Sequence, residues 1–245
     1  MIVEETAHDA LWAHHDLTHA GGADVLALGV ANSETGVILE PPERDEEGYV
    51  WGDLRPTRLL LDATQAVGRI PWSFAWSGAD LAVLSAHKLG GPKGVGALIV
   101  RDDIDITALL SGGGQELGRR SGTENVAGIA GFGAAVAAAM RDLEEGAWDR
   151  VAELRNILET TLASEAKETI FVGKDAARLP NTSLLVTPGW KGETQVMQMD
   201  LGGFAVSAGS ACSSGKVRAS HALQAMGFDA EAGLCALRVS LGPDT

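Results

Sequence analysis

The stretch LAVLSAHKLGGPKGVGALIV, residues 81–100, decides the fold class. An apolar run leads straight into His87 and Lys88, a glycine-rich turn follows, and a second apolar run, VGALIV, closes the stretch. Runs this short and this uniformly apolar read as strands buried on both faces of an α/β sheet, with a buried helix segment as the competing reading of each. The same unit recurs upstream: DVLALGV (24–30) leads into ANSETG, and RLLLDA (58–63) into TQAVG. In α/β sheets ligands bind beyond the carboxyl ends of the strands, so Asp62, Gln65, His87 and Lys88 are expected to be neighbours in space.

Downstream the pattern changes. From Thr123 a helix is expected, with Val126, Ile129, Gly133, Val136, Met140 and Leu143 on its core face and Thr123 or Asn125 as its cap. Glu144, Glu145 and Gly146 interrupt it, and Val151, Leu154, Ile157 and Leu158 resume a helical stripe. SLLVT (183–187), GFAVSA (203–208) and CALRVSLG (235–242) read as strands, and VRASHALQAMG as a short helix ending at Gly227. The chain becomes more charged near residue 141, which places a domain change there and gives regions 1–140 and 141–245.

Composition narrows the function classes. With 33 acidic and 19 basic side chains the formal net charge is −14, which disfavours nucleic acid and anionic membrane as partners. The uncharged run between Glu124 and Arg141 is short for a bilayer span and is interrupted by glycines. The acidic opening MIVEETAHDA resembles neither a secretory signal nor a transit peptide, and two cysteines cannot build a disulfide framework, so a reducing cytoplasm is the expected setting. The 31 glycines cluster in GGPKGVG (90–96), SGGGQELG (111–118) and SAGSACSSG (207–215), where a tight turn or the close approach of a ligand would require them.

Several residues could carry chemistry. Lys88 follows a buried run, a setting that lowers an amine's pKa and suits a Schiff-base former, although Lys93 in the same loop is hard to separate from it. Asp62 ends an apolar run and needs a cationic partner such as a protonated ring nitrogen, unless it simply starts a turn. Cys212 sits among small side chains, as a reachable nucleophile should, whereas Cys235 between Leu234 and Ala236 reads as a buried apolar residue. The cysteines and histidines lack the spacing of a metal site, and no P-loop or dinucleotide fingerprint is present.

Six segments in order, ANSETG (31–36), DATQAVGRIP (62–71), SAHKLGGPKGVGAL (85–98), GGGQELGRRSGTEN (112–125), SAGSACSSG (207–215) and LRVSLG (237–242), resemble motifs of the NifS/IscS-like cysteine desulfurases. The resemblance implies an α/β, fold-type I pyridoxal 5′-phosphate (PLP) enzyme. Its large domain, with a mainly parallel sheet, would be residues 1–140, and a smaller α/β domain would be 141–245, both shorter than in the family. By resemblance, Lys88 carries the cofactor covalently, Asp62 pairs with its pyridine nitrogen, Gln65 reaches its phenolic oxygen and His8 stacks on the ring. Ser85 and His87 hold the phosphate, and Thr123 serves the phosphate site of a neighbouring subunit in a homodimer. Arg238 clamps the carboxylate of L-cysteine and Cys212 accepts its sulfur. Ser33 stands where the family has an asparagine near the phenolic oxygen, and Gln115 where a histidine is common. The implied reaction converts L-cysteine to L-alanine, with the persulfide passed to a protein acceptor such as an iron–sulfur scaffold. A selenocysteine lyase or related PLP lyase is the alternative within the class. A non-catalytic remnant that only binds a partner is the alternative outside it.

Overall fold

The computed structural model describes residues 1–16, 24–209 and 220–245. The apolar runs of the first half form one sheet in the order β1 (Ile2–Val3), β2 (Val25–Gly29), β3 (Arg58–Asp62), β4 (Leu81–Ser85) and β5 (Gly96–Val100). The first four are parallel and β5 returns antiparallel to β4. The register pairs Gly29 with Asp62, so the polar residues that end these strands share one edge. A short helix, α1 (Asp9–Trp12), follows β1. Leu26, Leu28, Leu59 and Leu61 are fully buried with Ile2, Val30, Tyr49 and Ala66 around them, each leucine contributing roughly 2 kcal/mol by leaving water.

Burial on both faces holds for β2, whose Leu26, Ala27 and Leu28 are all buried, but not for β5. Leu98 is 50% exposed because β5 is the last strand of its sheet and one of its faces lies uncovered among the described residues.

Just before β4, at the opposite end of the sheet from those polar residues, Asp80 is a buried carboxyl. Its carboxylate accepts from the Leu59 amide at 2.8 Å, the Arg58 guanidinium at 3.2 Å and the Tyr49 hydroxyl at 3.0 Å. Removing one partner of such a network strands the others. Asp80→Ala is therefore expected to lower unfolding stability by about 3 kcal/mol; a loss under about 1 kcal/mol in urea denaturation would contradict this account.

The long helix is α2 (Val126–Glu144), capped by the Asn125 side chain, which accepts from the Gly128 amide at 3.1 Å. Its expected core face is corrected. Gly128, Phe132 and Ala139 are the buried positions, while Val126 (71% exposed), Ile129 and Met140 point outward. Close approach explains the reversal. A Cβ on Gly128 would meet Val95 at 2.5 Å, and one on Gly68 would meet Ala139 at 2.7 Å, so small side chains are required at these two points of contact, with Phe132 buried between them in sequence. By length and composition alone α2 could cross a bilayer. Here one of its faces is docked on the loops after β3 and β4.

Gly146, at φ +74°, ends the interruption expected at 144–146 and opens α3 (Ala147–Glu165), which buries Val151 but leaves Ile157 exposed. The remaining strands, β6 (Ile170–Phe171), β7 (Thr182–Val186), β8 (Ser207–Ala208) and β9 (Ala236–Ser240), form an antiparallel sheet in the order β6-β7-β9-β8. Around it lie α4 (Gly192–Leu201), α5 (His221–Ala225) and α6 (Ala230–Leu234). GFAVSA is strand only at its last two residues. Cys235 is not in the final strand but forms the C-cap of α6, buried with Val172, Leu184, Val186 and Leu223. The sequence reading also missed α4, because its most buried side chain is polar. Gln195 donates to the carbonyls of Trp190 at 2.6 Å and Cys235 at 3.0 Å.

Candidate active site

The carboxyl ends of the parallel strands open onto one cavity of about 260 Å³. β2 delivers Gly29, β3 delivers Asp62, and β4 delivers Ser85, which runs directly into a 3₁₀ turn over Ala86–Leu89. That turn sets His87 and Lys88 at the cavity, and Gly90, at φ +90°, lets the chain reverse toward β5. From the other side come Thr6 and His8, after β1, and from the crossover between β2 and β3 come Asn32 and Ser33. His8, Ser33, Asp62, Gln65, Ser85, His87 and Lys88, far apart in the chain, therefore line one space.

The geometry gives each a definite setting. Ser85 Oγ lies 2.8 Å from His87 Nδ1, a paired hydroxyl and imidazole. Asp62 Oδ1 accepts from the Thr64 amide at 3.0 Å, so it does start a turn while facing the cavity. His8 caps α1 through Nδ1, which accepts from the Ala10 amide at 3.1 Å. The Lys88 ammonium is held below the ordinary lysine range, first by partial desolvation and then by the positive charges of Arg238 and Arg69, with Asp62 pulling the other way. Lys93 does not line the cavity, and this separates the two lysines that the sequence could not.

Arg238 is the third residue of β9, and its register partners in β7 and β8 are Leu184 and Ser207. Its Nη1 donates to the Ser33 carbonyl at 2.9 Å, which brings the second sheet's arginine to the turn that walls the cavity. Arg238 Nε is buried and has no hydrogen-bond partner among the described residues. Thr123 is exposed ahead of α2 and does not line this chain's own cavity. Cys212 lies outside the described residues.

The sequence reading overlooked the residues that brace this arrangement. Asn32 Oδ1 accepts from the Glu34 and Thr35 amides at 2.9 and 2.8 Å, and its Nδ2 donates to the Thr6 carbonyl at 2.8 Å. Arg69 donates to the Gln65 carbonyl at 2.8 Å and to the Lys88 carbonyl at 2.5 Å, fixing the two loops to each other. A polar Asn inside a buried turn was the available signal for the first. Nothing local in the sequence marks the second.

These residues fit PLP in both chemistry and placement. An amine with a depressed pKa stands ready for an aldehyde, a carboxylate on the adjacent strand suits a protonated ring nitrogen, and a hydroxyl–imidazole pair can donate to a phosphate. A parallel sheet with such a site at its carboxyl edge is the arrangement of a fold-type I PLP domain. Comparison with known proteins narrows the class: the chain belongs to the aminotransferase class-V family, whose model matches residues 17–245.

Relatives agree. The chain is 37% identical over 240 residues to a cysteine desulfurase of Enterobacter agglomerans, covering 98% of this chain and 58% of that protein. It is 44% identical over 237 residues to one from Frankia sp. (strain EuIK1), covering 94% and 55%. Among solved structures, a NifS-like protein from Rickettsia africae ESF-5 superposes with a TM-score of 0.77 at 30% identity, covering 97% of this chain and 60% of that one. The chain thus spans a little over half the length of the relatives it matches.

Proposed function

We propose that this chain carries the core of a cysteine desulfurase, in which L-cysteine and the Cys212 thiol become L-alanine and a Cys212 persulfide. The carrying observation is the cavity that gathers Lys88, Asp62 and the Ser85–His87 pair, with Arg238 seated on its wall. The balance is internal to the two reactants. The substrate's carbon–sulfur bond and the Cys212 S–H bond break, while a sulfur–sulfur bond and a carbon–hydrogen bond form. PLP, when bound, supplies the electron sink that makes the substrate's α-proton acidic. Lys88 moves that proton, for which its depressed pKa suits it. Arg238, with a planar fork of donors, holds the substrate carboxylate.

The exposed aliphatic side chains Leu109, Leu110, Leu117, Val126 and Ile129 support a homodimer that covers them, in which Thr123 would serve the partner's phosphate site. The persulfide would pass to a protein acceptor such as an iron–sulfur scaffold, in a reducing cytoplasm. The test is incubation of the full chain with L-cysteine and excess PLP, reading alanine by amino-acid analysis and protein-bound sulfane sulfur by mass spectrometry. Alanine matched by persulfide on the first turnover is expected. Bound PLP with no alanine would overturn the proposal.

A further inference from the structure

Glu34 belongs to none of the roles above, yet it stands where both sheets meet the site. It follows Ser33 in the turn whose carbonyl holds Arg238, and its own amide is fixed by Asn32 Oδ1 at 2.9 Å. Its carboxylate Oε2 accepts from Ser220 Oγ at 2.5 Å, a contact between residues 186 positions apart. Ser220 is almost wholly buried, and the same oxygen caps α5 by accepting from the Leu223 amide at 3.0 Å. One carboxylate thus ties the start of α5 to the cavity wall.

We infer that Glu34 is a positioning residue of the site, seating Arg238 and the N-terminus of α5 against the turn that lines the cofactor cavity. The inference rests on the desulfurase reading for its kinetic consequence but on geometry for its origin. Arg238 has one guanidinium nitrogen committed to the Ser33 carbonyl and its Nε buried without a partner among the described residues. A substrate carboxylate would draw on the remaining donors. The ionised form of Glu34, the next residue of the same turn, attracts the guanidinium, which favours its staying at that carbonyl.

The groups facing Glu34 set how it titrates. Burial raises its carboxyl above the ordinary glutamate range, and Asp9 on α1 adds to this. Ser220 at α5, Arg238 on β9 and His8 at the cap of α1 oppose it. A carboxyl raised in the folded state contributes stability that is fully present below its unfolded pKa and is lost as pH rises through the folded value. Glu34 therefore carries its charge at a cost, which its hydrogen bond to Ser220 and its attraction to Arg238 reduce.

The test uses the full chain labelled with ¹³C-glutamate, with Glu34→Gln identifying the resonance. The Glu34 midpoint is expected above the ordinary glutamate range. It should move further up in both Ser220→Ala and Arg238→Gln, since each removes an interaction that favours the carboxylate. A midpoint unmoved by both variants would overturn the inference, and this readout needs no turnover. With PLP and L-cysteine, Glu34→Ala is expected to raise KM about tenfold while kcat stays within about threefold. Glu34→Gln, which keeps an acceptor for Ser220 but loses the charge, should fall between Glu34→Ala and the unaltered chain. A Glu34→Ala variant with unchanged KM would overturn the positioning role. If the unaltered chain makes no alanine, the desulfurase reading fails while the titration still decides the role of Glu34.

Discussion

Cys212→Ser is expected to reduce alanine formation from L-cysteine by roughly a thousandfold or more while leaving covalent PLP attachment intact, because in the proposed reaction it removes the sulfur acceptor and none of the residues assigned to the cofactor. Cys235→Ser should do the reverse. Cys235 is 3% exposed at the cap of α6, walled in by Val172, Leu184, Val186 and Leu223, so no substrate sulfur can reach it. A hydroxyl in that apolar cluster would lack a designed partner and should destabilise the fold by about 1–2 kcal/mol with turnover per folded molecule unchanged. The decisive measurement pairs the two variants, with alkylation mapping of the persulfide. Sulfane sulfur on Cys235, or full turnover in Cys212→Ser, would make the mechanism untenable. The sequence alone carries the assignment of Cys212, through its run of serine, alanine and glycine neighbours.

Much of the first sheet was legible because its strands announce themselves locally. RLLLD and LAVLS are apolar runs that end abruptly in polar residues, and the parallel register of β2, β3 and β4 then brings those ends together. What the sequence could not show depends on contact between distant segments. The stripe Val126, Ile129 and Met140 has helical spacing and large side chains, so it reads as a core face. The helix instead docks through Gly128, Phe132 and Ala139, because tight approach at Gly128 and Ala139 demands small residues and turns Val126, Ile129 and Met140 outward. α4 fails the same reading for a different reason: its buried anchor is Gln195, whose value lies in two carbonyls it reaches rather than in hydrophobicity. The site shows the same division. Lys88, Asp62 and His87 follow from strand ends, whereas the seating of Arg238 on the Ser33 carbonyl joins residues 205 positions apart and has no local trace.

Lys88→Ala is expected to abolish turnover, to below about one part in a thousand, and to prevent covalent capture of PLP while the fold persists. The cavity lining gives the reason for choosing Lys88 over Lys93: Lys88 lies within the 3₁₀ turn at the end of β4 and lines the space shared with Asp62 and Gln65, while Lys93 lies past the Gly90–Pro92 reversal. Borohydride reduction followed by peptide mapping should place the pyridoxyl group on Lys88. An adduct on Lys93, or capture surviving in Lys88→Ala, would overturn the assignment. The pH dependence gives an independent check. Only the neutral amine attacks an aldehyde, so the rate of capture rises as pH climbs through the Lys88 pKa, which lies below that of an ordinary lysine. Arg238→Gln and Arg69→Gln each remove a cation that disfavours the ammonium, and each should shift the midpoint up. Asp62→Asn removes the anion that favours it and should shift the midpoint down. A midpoint that ignores all three substitutions would mean that the amine being measured lies outside this cluster of charges, and the proposed role of Lys88 would fall.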